Sequence, residues 1–449
     1  MKAGFSKFDI TPRVGVSMGG FGPFLNRNSK GIRDRLEARA AAFKAGIGGV
    51  VFISCDLTTI GGDTCDRARE LVREAVPELE LDNIIVSATH THSAPAVVAN
   101  NLGWGVPDLP YLQILPYKIA QAGIDAWRNL EEVTVSTARV PCRHIGLNRV
   151  YDRDAPPLEE VLREDWEPAK PELTDTECQL IRCDDAAGKL KGFLVNFGCH
   201  AVVCCQKCFN LHGDYPGVAI HSVMAEHPGA VGLFLQGAEG DVNSGCVHKP
   251  EADAMPALDV FAARFARAIR NGLEAAQKIA VDDIRTAAVT VEFSTRHNWD
   301  EASLLKRKAE IDAVLNRADA SDDDPKVRMN TVYRFGLEKL LKLIRSGEKT
   351  TVTARVFAVR MGPLEFLGAP FEIMQAIKND IVAGAKAEIP LVMSLCNGAL
   401  GYAPDQQSID QADSYAATMI PLLQGRFPYS DIHRELRDAL LKLDAELAD

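Results

Sequence analysis

Short apolar runs, each closed by a polar or glycine-bearing turn, alternate along the chain with stretches of helical spacing. Residues 49–57 form an apolar run that ends near Asp56 and reads as a buried strand. Residues 63–76 carry Ala68, Leu71, Val72 and Ala75 at helical spacing. A second buried strand, 83–88, then empties into Thr89-His90-Thr91-His92-Ser93-Ala94-Pro95. Strand, helix and strand in this order predict a βαβ unit.

The same alternation continues. A helix is predicted over 111–130, a β-branched strand over 133–140, and an acidic, proline-bearing loop over 152–175. Residues 177–197 read as a hairpin turning at 184–188. Val260, Phe261, Phe265, Ile269 and Leu273 mark one face of a helix. Residues 299–346 read as two charged helices broken at 319–325, a helical hairpin or lid. A strand at 364–367 precedes Pro370-Phe371-Glu372, which has the form of a helix start. A last strand, 391–396, runs into Asn397-Gly398-Ala399-Leu400-Gly401-Tyr402, and a helix covers 431–447. No linker interrupts the pattern, so a single domain over 1–449 is expected, with 299–346 as a helical insert.

Composition narrows the classes. The 449 residues carry 25% charged side chains and a net charge of −11, which argues against nucleic acid or an anionic membrane as main partner. The first ten residues are too polar for a signal peptide, and no apolar run approaches the roughly 18–20 residues of a membrane helix. Eleven cysteines, an odd number in a large chain, do not resemble a secreted disulfide framework. A cytoplasmic protein is expected, with a small-molecule substrate, no stable membrane insertion and scope for a homo-oligomer.

Candidate chemistry lies where the apolar runs end. His90 and His92 are two apart on a segment read as extended, so they should point to opposite sides. One can then bind a metal while the other faces substrate. His200 ends the run 195–200, and Gly240-Asp241-Val242-Asn243 follows another run, 232–235. Imidazoles with a carboxylate such as Glu372 suit zinc, and Tyr402 adds a phenol able to act as ligand, acid or orienting group. Cys204, Cys205 and Cys208 crowd beside His200, but a single CxxC pair is a weak metal signature, and they read as buried cysteines. No phosphate-binding loop is present.

Taken together, Thr89-His90-Thr91-His92-Ser93, His200, Gly240-Asp241-Val242, Pro370-x-Glu372 and Leu395-Cys396-Asn397 with Tyr402 stand in the order found in the neutral, non-lysosomal ceramidases. Asp9-Ile10-Thr11, Met18-Gly19-Gly20-Phe21-Gly22 and Asn148-Arg149 also resemble that family, and the likeness runs over roughly residues 3–410. The resemblance implies an α/β fold of mixed β-sheets flanked by helices and a zinc amidohydrolase with one Zn²⁺ per chain. It implies His90, His200, Glu372 and Tyr402 as metal ligands and His92 and Arg149 as substrate contacts. The expected reaction is cleavage of a C–N amide bond by metal-activated water. His92 or Tyr402 would stabilise or protonate the developing charge, and Asp241 would orient its loop or a ligand histidine.

The chain also departs from its family. Where the family reads GDVSPN, Asn243 stands in place of the serine and Ser244 in place of the proline; Asn243 can hydrogen-bond a substrate but cannot act as a nucleophile. The family's PGE is PFE here. The C-terminal immunoglobulin-like domain of long members and a secretion signal are not found. A smaller or more polar amide or ester, or a sugar-derived compound, is therefore expected as readily as ceramide. A Lewis-acid lyase or isomerase and a non-catalytic ligand-binding protein stand as the alternatives. Residues 299–346 and the loop 100–110, with Trp104 and Tyr111, are expected to shape the pocket.

Overall fold

The computed structural model describes residues 1–98, 103–152, 156–348 and 351–448. The first apolar runs form the strands Gly48–Cys55 and Ile84–Ala88, paired in parallel through the helix Gly62–Ala75, which buries Ala68 and Val72. This is the predicted βαβ unit. The sheet continues antiparallel through Glu37–Ala45 and Lys2–Asp9 to an edge at Glu131–Glu132.

In a second sheet, Val231–Gln236 lies parallel to Leu190–Phe197, which forms the predicted hairpin with Glu177–Asp184. Thr134–Pro141 and Gln277–Lys278 complete it. A third sheet runs Ile284–Phe293, Val352–Met361, Leu364–Gly368, Ile389–Met393, and its last pair is again parallel. The inner faces of all three sheets meet in one apolar cluster containing Phe5, Phe52, Leu194, Leu235, Phe366 and Met393. Phe52 and Phe366 meet across it, their rings tilted at 45° with centroids 4.7 Å apart. Helices cover the outer faces. Leu109–Arg128 lies on the first sheet, Asp214–Glu226 and Glu251–Ala275 on the second, and Gln375–Gly384 and Ile432–Ala448 on the third.

Each sheet thus contains one parallel pair, and the carboxyl ends of these pairs carry the candidate residues: Ile84–Ala88 leads to His90, Leu190–Phe197 to His200, and Leu364–Gly368 to Glu372. Loops at such ends are exposed while the strands fix their direction. Side chains tie the three ends together. Gln236 donates to the carbonyls of Thr89 and Cys199 at 3.2 and 3.1 Å, and Asn196 donates to Leu235 and Val392, both at 3.1 Å.

The charged stretch 299–346 forms the helices Glu301–Leu315 and Pro325–Ser346, capped by Asp300 and by Asp324 with Pro325 at the first turn. They pack with Ile420–Leu423 into an apolar cluster of their own. Gly336 permits this. A Cβ there would lie 2.0 Å from the Leu422 carbonyl oxygen. Tyr111 corrects one expectation: it is buried in the core under the first sheet, and its hydroxyl donates to the Ile10 carbonyl rather than shaping a pocket. Residues 100–102 of the loop assigned with it, and 153–155 of the acidic loop, lie outside the described residues. No helix among the described residues is long and apolar enough to cross a membrane.

Candidate metal centre and pocket

His90 follows Ala88, the last residue of its strand, by two positions, and its backbone is left-handed at φ 65°. That turn overrides the alternation expected of an extended segment. His90 and His92 do not point to opposite sides: their Nε2 atoms stand 3.2 Å apart and their ring centroids 4.7 Å apart. A left-handed histidine is uncommon and strained enough to be noteworthy. The turn is held by His90 N–H donating to Leu57 O at 3.0 Å. His200 joins them, with its ring centroid 4.6 Å from that of His90.

The two outer ring nitrogens define the tautomers. His90 Nδ1 lies 2.7 Å from the Thr58 carbonyl oxygen, and His200 Nδ1 lies 2.6 Å from that of Glu239. A carbonyl only accepts, so both Nδ1 atoms carry the proton and both Nε2 atoms present lone pairs. Burial, together with nearby Arg149 and His90, lowers His200 to about 4. Burial lowers His90 as well, so both rings are neutral at pH 7.

Glu372 completes the convergence. Its Oε2 is 3.3 Å from His200 Nε2 and 3.6 Å from His90 Nε2, yet it is buried without a hydrogen-bond partner. Burial works against its charge, and the nearby Arg149 guanidinium favours it. Here too the sequence expectation is corrected. Glu372 is not in a helical first turn but in the short strand Glu372–Ile373, its N–H bonded to Gly401 O at 2.9 Å, and the helix begins at Gln375. That strand pairs in parallel with Tyr402–Ala403, Glu372 opposite Tyr402.

This donor set fits a divalent cation. Two neutral imidazole nitrogens and a carboxylate oxygen face one another in a buried space with no proton between them, an arrangement costly without a positive charge at its centre. The ring pinning also separates the histidines. A ligating imidazole ordinarily donates its other N–H to a carbonyl or carboxylate, as His90 and His200 do. His92 Nδ1 is buried with no partner. His92 is positioned instead by its Nε2–H, which on these tautomers donates to His90 Nε2 at 3.2 Å, by its backbone, whose carbonyl accepts from Arg27 at 3.2 Å, and by Gly20, where a Cβ would lie 2.6 Å from its ring.

Arg149 joins the substrate-side candidates. Its guanidinium donates to Asn243 Oδ1 at 3.3 Å, to the Gly240 carbonyl at 2.7 Å and to Tyr402 Oη at 3.0 Å. Among the described residues it has no carboxylate partner within ion-pair distance. Burial raises Tyr402 well above the ordinary phenol range. Asp241 does not serve a histidine. Its carboxylate accepts from Gln375 N–H at 2.8 Å and Asn148 Nδ2 at 2.7 Å, and so braces the loop. The carbonyl that orients His200 belongs to Glu239. Ser244 is turned away, its hydroxyl donating to Cys246 O at 2.6 Å.

Glu239 itself escaped sequence reasoning. It is fully buried, both carboxyl oxygens lack hydrogen-bond partners, and it lies within metal-ligand spacing of His90 and Glu372. Burial and Glu372 raise it far above the usual carboxylate range. An acid between two glycine-rich steps of a strand-end loop was its one signal. Cys204, His212 and Asp214 also approach one another. There, however, the Asp214 carboxylate accepts three backbone N–H groups and His212 Nδ1 a fourth, so the Asp214 oxygens and His212 Nδ1 are spent on the fold. All eleven cysteines are free and buried, including Cys204, Cys205 and Cys208 beside His200.

A cavity of about 420 Å³ opens onto the centre. His90, His92, Glu372 and Tyr402 line its floor; Trp104, Tyr415 and the helix Pro325–Ser346 contribute to its walls. Tyr415 begins a π-turn, Tyr415–Met419, a rare conformation often found at functional sites.

Comparison with known proteins bears on the family and the fold. The family described as neutral/alkaline non-lysosomal ceramidase, N-terminal, matches residues 1–253, a span that contains every candidate except Glu372 and Tyr402. No curated protein sequence matches the chain. Among solved structures, a neutral ceramidase from Pseudomonas aeruginosa superposes with a TM-score of 0.72 at 18% identity, over 99% of this chain and 74% of that one. A ceramidase complexed with C2 superposes with a TM-score of 0.70 at 17% identity, over 100% of this chain and 75% of that one. These likenesses extend the shared fold past residue 253 through the strands that carry Glu372 and Tyr402. The chain belongs to the neutral/alkaline non-lysosomal ceramidase family.

Proposed function

We propose that the protein is a zinc-dependent hydrolase that cleaves the C–N bond of an acyl amide in this pocket. The observation that carries the reading is the meeting of His90 Nε2, His200 Nε2 and Glu372 Oε2, three acceptor atoms with no proton between them. These residues would hold the metal. Tyr402, paired with Glu372 and already accepting from Arg149, would be the fourth donor. Zinc bound there would polarise a carbonyl and acidify water.

The remaining steps fall to side chains of this chain. His92 is neutral, because burial and the neighbouring histidines drive it far below the usual range. From the pocket floor it can take up a proton at an imidazole nitrogen and deliver it to the leaving nitrogen. Arg149, fixed by three hydrogen bonds, sets a permanent charge beside the carbonyl oxygen. Asn243 holds that guanidinium rather than supplying a nucleophile. Asp241 braces the loop. The helix pair at 301–346 acts as an insert whose second helix closes one side of the pocket.

A volume of about 420 Å³ sits low in the range of roughly 300–1,000 Å³ usual for ligand sites. It suits a compact acyl amide better than a two-chain lipid enclosed whole. Free, buried cysteines throughout suit a reducing compartment, and a cytoplasmic location is part of the proposal. The test is turnover by zinc-loaded protein of N-acyl amides graded in chain length. Metal-dependent release of free amine is expected, and no release from any member would overturn the reading.

A further inference from the structure

The helix Pro325–Ser346 turns one face into the pocket: Val332, Phe335, Gly336 and Lys339 follow the i, i+3, i+4, i+7 pattern of a single stripe and all line the cavity. Arg426 lines it as well, just beyond Ile420–Leu423. The chain as a whole is acidic, with 61 Asp and Glu against 50 Lys and Arg. Yet among the described residues the only carboxylate in the cavity lining is Glu372, which faces His90 and His200.

Neither basic residue has a carboxylate partner among the described residues. Lys339 Nζ donates to the Gln424 carbonyl at 3.4 Å, and Arg426 to that of Leu400 at 2.7 Å. Elsewhere on the same helix Arg334 pairs with Asp312 and Glu338, and Arg345 with Glu301, while Arg328 donates to the Asp322 and Asp323 carbonyls. Two unpaired cations at one cavity, in a chain rich in acids, form a complementary site for an anion. Apolar Val332, Phe335, Ile420 and Leu423 share the walls.

We infer that the substrate is an acyl amide with an anionic group, a carboxylate, remote from the scissile bond, its apolar stretch lying along Val332, Phe335 and Leu423 and its charge between Lys339 and Arg426. This rests on the amide-hydrolase reading and adds the substrate's charge to it. A neutral acyl chain alone would leave both cations unmatched.

The experiment compares ω-carboxyacyl p-nitroanilides of increasing length with chain-matched neutral acyl p-nitroanilides on the zinc-loaded enzyme. At the best length, kcat/KM should favour the carboxylated member by about tenfold or more, the scale of one charge-assisted contact. That ratio should fall by a similar factor in Lys339→Gln, recover in Lys339→Arg, and shrink as salt is raised. No preference in the wild type, or one that survives Lys339→Gln combined with Arg426→Gln, overturns the inference. Binding of the same pairs to His200→Ala by calorimetry keeps the two readings apart. If neither series is hydrolysed, the hydrolase reading fails, while the binding preference still decides the charge of the ligand.

Discussion

Glu372 Oε2 lies 3.3 Å from His200 Nε2 with no hydrogen bond between them. The His200 ring proton is occupied elsewhere, on the Glu239 carbonyl, so the pair meets through lone pairs. A cation at that point relieves the repulsion and so binds the folded state alone. Zinc should therefore raise Tm well above that of chelator-treated protein. In Glu372→Gln the repulsion is removed together with a ligand, and the gap between zinc-loaded and chelated Tm should nearly close. Differential scanning fluorimetry with and without chelator checks it; an unchanged gap would remove Glu372 from the metal set.

His92 shares the floor with His90 but lacks the pinned ring of a ligand. His92→Ala should keep its metal while kcat falls by about 10²–10⁴, the usual contribution of a proton-transferring group. Metal analysis and steady-state kinetics on the same preparation read both quantities. Loss of the metal along with activity would make His92 a ligand instead.

Away from the site, Asp214 supplies a pH-dependent stability. Burial raises its carboxyl to about 6 from 3.8. The folded state then holds a proton that the unfolded chain releases, so this contribution is present below pH 3.8 and is lost as pH rises through about 6. A rise of that size corresponds to roughly 3 kcal/mol. Asp214→Asn cannot titrate, so across that window its stability should rise by about this amount relative to the wild type. Urea unfolding at a series of pH values tests it, and a pH-independent difference would contradict it.

Much of this architecture was written in local pattern. The parallel strands, the hairpin at 177–197 and the paired helices of 299–346 followed from apolar spacing and turn residues, because each is stabilised by its own segment. His90 and His200 were legible as strand-end histidines. What escaped depended on backbone direction or on partners far along the chain. Alternation placed His90 and His92 on opposite sides, but a left-handed backbone at His90 brought them together. Pro370 and Glu372 have the composition of a helix start, yet pairing with Tyr402–Ala403 made Glu372 a strand residue. Thr58 and Glu239 act through their carbonyls, which no side-chain pattern records, and Gln236 acts by linking strand ends that only the fold brings together.

The central claim is most directly tested by metal content. Wild-type protein equilibrated with zinc and freed of excess should contain one equivalent by plasma mass spectrometry. His200→Ala should retain less than a tenth of that and lose amide turnover with it, while remaining folded by circular dichroism. A folded His200→Ala that still held a full equivalent of zinc, or a wild type that held none, would contradict the account.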